Sequence, residues 1–257
     1  MDWSIQLMLF GAGLAGGGLA ALVGGASLVT FPTLLATGMS PISATVAGLI
    51  ALMPAILLAS TADRTQLPAL DRGFWGLVFA SSVGALIGGA LLLLTPVRWF
   101  EVMIPLLMGF ATFLFAFSRQ ISEWIRARSV ARSGREPHIS VTSIPMLLPV
   151  SVYGGYFGAG VGVLLLAVLM LATGGDYRSA NVTKNLVSGI NSIFVGLYFW
   201  VTGAIPWPET LVLMAGAVIG GVAGGHLARI APTGFMRVVI VLIGAALTVA
   251  YTWRYWF

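Results

Sequence analysis

The chain has 257 residues, 58% hydrophobic and only 8% charged, with a mean hydropathy of +0.99. Soluble domains carry about 25% charged residues, so a water-facing globule is excluded and most of the surface must meet lipid. The absence of cysteine and the presence of only two histidines, His138 and His226, exclude disulfides, thiolate metal centres and a histidine cluster, so no metal or cofactor is expected. The net charge of +5 is concentrated, with Arg119, Arg126, Arg128, Arg132 and Arg135 falling between residues 118 and 140. In so apolar a chain this cluster marks a cytoplasmic loop by the positive-inside rule rather than a nucleic-acid surface.

The N-terminal stretch MDWSIQLMLFGAGLAGG has an acid and no base before its apolar run. That is unlike a secretory leader, and the stretch reads as a retained membrane segment. Membrane spans of about 20 residues are predicted at 42–62, 74–94 and 99–117, then at 180–201, 209–228 and 235–253. Two further segments, 5–37 and 143–173, are longer and glycine-rich. Ser40 before Pro41 and Thr95 before Pro96 read as helix N-caps followed by proline. Asp176 and Glu209 suit helix starts, where negative charge meets the positive end of the dipole. All eight tryptophans lie near predicted span ends, as an interfacial belt requires. The fold class is therefore all-α, a polytopic helical protein of the inner membrane. It divides into a first membrane repeat (1–117), an arginine-rich linker (118–140) and a second repeat (141–257).

The repeat is read from a constant offset of 136 residues. Gly24 matches Gly160, TG at 37–38 matches TG at 173–174, and SATV at 43–46 matches SANV at 179–182. Gly84, Gly88 and Gly89 match Gly220, Gly224 and Gly225, and Pro96 matches Pro232. Internal repeats in a membrane protein point to a transporter with its site where the halves meet. If each glycine-rich segment crosses once, eight basic residues fall inside and five outside. If each enters and returns as a hairpin, the halves become inverted and eleven fall inside, leaving only Arg98 and Arg254 outside. The positive-inside rule prefers inversion. The alternative is one long glycine-kinked helix per segment.

The stretch SANVTKNLVSGIN at 179–191 holds the one lysine of the chain. Asn181, Lys184, Asn185, Ser188 and Asn191 recur at three- and four-residue steps and form one helical stripe. Such a stripe must face protein or water, because lipid offers no hydrogen bonds. A lysine at mid-span costs about 2.5–3.5 kcal/mol on insertion scales, and a counter-ion or substrate anion is the common return. No acid falls mid-span, so a cation beside amide donors suits an oxyanion. The competing reading is snorkelling to the headgroups, since Lys184 lies only about 7.5 Å from the helix start at 1.5 Å per residue. Thr45 is the first-half counterpart of Asn181. N–H groups at short-helix starts around Gly24, Gly25 and Gly160 add candidate donors. Ser27, Thr30, Tyr153 and Tyr156 are candidate side-chain contributors.

ATGMSPISATVAG and ATGGDYRSANVTKNLVSGINS carry a resemblance to the TauE/SafE sulfite exporter family that extends over nearly the whole chain. The AN-x-T-K motif places Ala180, Asn181, Thr183 and Lys184 on the family pattern. In the first half, Val46–Ala47–Gly48 stands where the family shows a Thr-Ser pair. The resemblance implies transport of sulfite, sulfoacetate or taurine-related compounds. The chain has no G-x-x-x-x-G-K-[ST] loop for ATP and no G-x-S-x-G. A secondary transporter of a small anion is expected rather than an enzyme, with a proton or sodium as coupling ion and a homodimer as one assembly. An anion channel is the alternative.

Overall fold

The computed structural model describes residues 2–22, 25–61, 67–130, 144–172, 177–227 and 233–257. Gly24, Thr173, Gly174, Asp176, Pro232, Arg132, Arg135 and His138 lie outside the described residues, as do the side chains of Arg126, Arg128 and His226. The described residues form eleven helices. The first half contains α1 (Trp3–Leu22), α2 (Ser27–Ala36), α3 (Pro41–Thr61), α4 (Arg72–Leu94) and α5 (Val97–Ala116). An additional helix, α6 (Ser118–Val130), occupies the start of the arginine-rich stretch. The second half contains α7 (Ile144–Tyr156), α8 (Val161–Ala172), α9 (Tyr177–Val201), α10 (Trp207–Leu227) and α11 (Thr233–Trp256). Five of the described helices are long and apolar enough to cross a membrane: α1, α3, α4, α5 and α11. The 25-residue α9 is absent from that group, and its polar stripe is the evident cause.

Local chemistry sets most boundaries. Ser40 caps α3 by accepting the Ser43 N–H at 3.1 Å, with Pro41 in the first helical position. Asp71 caps α4 by accepting the Phe74 N–H at 2.8 Å. Thr95 differs from expectation. It closes α4, its Oγ1 donating to the Leu91 carbonyl at 2.6 Å, and Pro96 takes the cap position of α5. Both glycine-rich segments are broken into two helices. The second break turns through Gly158 (φ 78°) and Gly160 (φ 77°), left-handed conformations that a Cβ would disfavour. Tyr153 Oη ties this turn by donating to the Ala159 carbonyl at 2.6 Å. In the first break, Gly25 has no positive φ.

The two halves pack reciprocally. Helix α1 lies against α10 and α7 against α4, so each half's opening helix docks on the other half. Helices α3 and α9 meet each other, as do α5 and α11. At the α5–α11 contact Thr112 lies over Gly244 and Thr248 lies over Gly109, and the two threonines are 136 residues apart. The α1–α10 and α4–α7 crossings are backbone-close. A Cβ at Gly88 would strike the Val152 carbonyl oxygen, and one at Gly220 would strike that of Leu14. Gly155 sits likewise on the Ala85 carbonyl, and Gly17 on that of Ala217. This packing equates Gly88 with Gly220 and Ala85 with Ala217, 132 residues apart, and Val152 with Leu14, 138 apart. The crossing is thus shifted by about one turn of α10 from the alignment at 136. Small residues recurring every four positions let a helix slide one turn and still present glycine to its neighbour.

The outward faces are apolar. Phe79, Leu106, Phe113, Leu197, Leu211 and Leu242 are all exposed on helix surfaces, as lipid contact requires. All eight tryptophans are exposed, and most stand at helix ends.

Candidate functional site

A cavity opens where α3 and α9 meet the two helix breaks. The space open to water centres is about 100 Å³, several times the roughly 10–15 Å³ that one buried water needs. Ala20, Ala26 and Ser27 line it from the first break, and Leu49, Leu52 and Ile56 from α3. Ser151, Gly154, Gly155 and Gly158 line it from α7 and its turn, and Val161, Gly162 and Leu165 from the start of α8. Helix α9 supplies the polar wall: Lys184, Asn185, Ser188, Asn191 and Ser192.

Lys184 is 3% exposed and Asn185 3%, so both point into the protein. Among the described residues no carboxylate pairs with Lys184, and no acid lines the cavity. The remaining wall is mostly apolar, which keeps the local dielectric low and strengthens any ion pair formed there. Asn191 is held by α4. Its Nδ2 donates to Ser81 Oγ at 2.6 Å, and its Oδ1 accepts from Ser82 Oγ at 3.0 Å. Ser81 Oγ in turn lies 2.7 Å from Ser151 Oγ on α7.

Lys184, buried without an acidic partner among the described residues, is thus flanked by amides and hydroxyls where the two halves meet. Comparison with known proteins bears on the class. The sulfite exporter TauE/SafE family matches residues 9–251. The chain belongs to the TauE/SafE family.

Relatives of this TauE/SafE protein include a probable membrane transporter protein of Haemophilus influenzae, 24% identical over 252 residues, covering 96% of this chain and 95% of that one. The probable membrane transporter protein YfcA of Escherichia coli K12 is 22% identical over 246 residues, covering 94% and 87%. The probable membrane transporter protein YunE of Bacillus subtilis is 26% identical over 159 residues, covering 58% of each. No solved structure matches the chain. With its apolar helices, this TauE/SafE protein is a multi-pass integral membrane protein of a transporter family.

Of the residues singled out in the sequence, the fold brings Lys184, Asn185, Ser188, Asn191 and Ser27 to one cavity. Several others lie elsewhere. Asn181 shares the face of Lys184 but sits a turn nearer the helix start, beyond the cavity, with its Oδ1 buried and unpartnered. Thr183 lies about 100° around α9 from Lys184, fully buried and with its Oγ1 also unpartnered. Thr45 turns its hydroxyl back to the Pro41 carbonyl at 2.9 Å. Tyr156 points towards α5, with its ring on Phe100 and its hydroxyl 3.4 Å from Thr95 Oγ1. Gly25 packs on the Phe115 ring and Gly160 on Ala111. Thr30 is fully buried, with Gly16 and Gly48 beside it, and the Tyr153 hydroxyl is taken by the turn it closes.

Sequence reasoning missed Ser81, Ser82 and Ser151. The signal was present, since Ser81–Ser82 interrupt an apolar span and polar residues in such spans seek partners across helices. Naming the partner required the fold.

Proposed function

We propose that this protein is a secondary transporter carrying a small sulfur oxyanion or organosulfonate, such as sulfite, sulfoacetate or isethionate, across the inner membrane. The observation that carries the reading is Lys184, buried in a cavity between the repeats with no acidic partner among the described residues. The ammonium neutralises the anion, and Asn185 and Ser188 hydrogen-bond its oxygens. One cation on an otherwise uncharged wall neutralises one negative charge, so a dianion such as sulfoacetate is held less tightly than a monoanion such as isethionate. The apolar wall formed by Leu49, Leu52 and Ile56 accommodates a short carbon chain. The name of the family supports the sulfur chemistry.

In this reading the two halves are inverted, and their glycine-rich segments dip into the bilayer as hairpins. Reciprocal docking of α1 on α10 and α7 on α4 supports that relation. Irregular backbone at membrane depth is tolerated where it lines a cavity, as both breaks do. Among the described residues the cavity wall has no carboxylate, so a proton or sodium ion couples elsewhere than through an Asp/Glu relay at this wall.

Uptake into proteoliposomes tests the reading, with isethionate, sulfite, sulfoacetate and taurine compared in wild type and Lys184→Ala. Saturable uptake, strongest for monoanions and abolished in the variant, is expected. Saturable uptake retained by Lys184→Ala overturns the assignment, and flux without saturation points to a channel.

A further inference from the structure

Ser81 is fully buried and does not line the cavity, and its oxygen accepts a proton from Asn191 Nδ2. Its own hydroxyl proton needs an acceptor, because a buried donor left without one is a costly fault. The acceptor in reach is Ser151 Oγ at 2.7 Å. Were the bond reversed, Ser81 would hold two incoming protons and aim its own at nothing. The chain therefore runs from Asn191 to Ser81 to Ser151. Ser82 fixes its direction by donating to Asn191 Oδ1, which holds the amide in one orientation. Ser151 has no other hydrogen-bond partner among the described residues, and it lines the cavity that Lys184 lines. Its proton is free for whatever occupies that space.

The second half-crossing is an internal control. In the packing register, the counterpart of the Ser151–Ser81 contact is Gly13 against Leu213. In the register of 136, the counterparts of Ser81, Ser82, Ser151 and Asn191 are Ala217, Val218, Ala15 and Ala55. Both registers give apolar residues, and Ala55 and Ala217 are packed to 0% exposure. The fold makes this crossing without hydroxyls, so the hydroxyls at the other crossing serve something besides packing.

We infer that Ser151 is a substrate-binding and specificity-determining residue, a hydroxyl donor that the Asn191–Ser81 chain presents to an oxygen of the bound anion. Ser81 and Asn191 are positioning residues. The inference rests on the anion-transport reading of Lys184 and adds a second helix, α7, to the site. A further fixed donor favours a head group with three acceptor oxygens over one with two, hence a sulfonate over a carboxylate of the same length.

The test is binding of isethionate and of its carboxylate analogue 3-hydroxypropionate to the purified full-length protein by calorimetry. Ser151→Ala is expected to raise the isethionate Kd about ten-fold, as loss of a hydrogen bond to a charged group does. The 3-hydroxypropionate Kd should rise less, so the preference for sulfonate narrows. Ser81→Ala should narrow it in the same direction by a smaller factor, because the donor is present but no longer aimed. A packing defect would weaken both ligands alike and leave their ratio unchanged. Ser151→Gly, which copies the residue at the other crossing, serves as a second variant should the alanine protein fail to fold. An unchanged isethionate-to-carboxylate ratio in the Ser151 variants, with wild type binding isethionate, overturns the role of Ser151 and leaves that of Lys184 standing. No isethionate binding by wild type overturns the anion reading itself, and this inference with it.

Discussion

Lys184→Met should make the protein more stable and less able to bind its anion. Methionine is unbranched, close to lysine in length, and adapts to irregular space. Lys184 is 3% exposed with no described acid beside it, so the empty protein carries a desolvated cation. A lysine at mid-span costs about 2.5–3.5 kcal/mol relative to an apolar residue. Lys184 lies towards one end of α9 (Tyr177–Val201), which lowers that cost. A net stabilisation of about 1–2 kcal/mol is expected, or a rise in Tm of roughly 2–8 °C for a chain of this size. Removing one partner of a buried charge pair costs about 2 kcal/mol or more, so isethionate affinity should fall at least about thirty-fold. Thermal unfolding in detergent, without and with isethionate, reads both effects, and ligand protection should vanish in the variant. A variant that melts lower than wild type without ligand would refute the reasoning, because it would mean that the lysine already has a partner.

Two further predictions concern the scaffold. Gly88→Ala and Gly76→Ala change the same helix, but a Cβ at Gly88 meets the Val152 carbonyl whereas one at Gly76 meets nothing within 4 Å. Both gain about 0.5–1 kcal/mol of helix preference, while overpacking against rigid backbone costs about 3 kcal/mol. Gly88→Ala should therefore melt lower than wild type and Gly76→Ala slightly higher, and equal melting temperatures would contradict the close α4–α7 crossing. Tyr153→Phe removes the hydroxyl bonded to the Ala159 carbonyl. It should cost about 1 kcal/mol and raise hydrogen exchange selectively in the turn between α7 and α8, and a uniform rise would contradict that localisation.

The two halves differ in their polar residues more than in their packing. The two halves make corresponding contacts, Thr112 on Gly244 and Thr248 on Gly109. Their polar residues do not correspond. Lys184 stands where the first half has Gly48, and Asn191 where it has Ala55. Around Ala55 the structure holds a small apolar cluster with Ala20, Ala26, Leu52 and Ala217. Both crossings are closely packed, but one is apolar and the other carries hydroxyls to the cavity.

The helical membrane class, most helix boundaries, the residue matches at an offset of 136 and the polar stripe of α9 were legible in the chain alone. These properties are local or linear. Hydropathy reports on each segment by itself, caps such as Ser40 act within one turn, and a repeat is a comparison of the chain with itself. The family followed from the same linear pattern. The composition of the cavity was not legible. Nothing in the spacing of Lys184, Asn185 and Thr183 says that the first two face inward on a shared space while the third packs elsewhere. Nor does the sequence show that Ser81 and Ser151, seventy positions apart, share a proton. Partner choice is non-local: apolar stripes on several helices are interchangeable by hydropathy, and which one docks is decided by backbone approach at glycines such as Gly88 and Gly155. The one-turn slide of α10 has the same origin, because a four-residue repeat of small side chains offers two registers and only the assembled bundle selects between them.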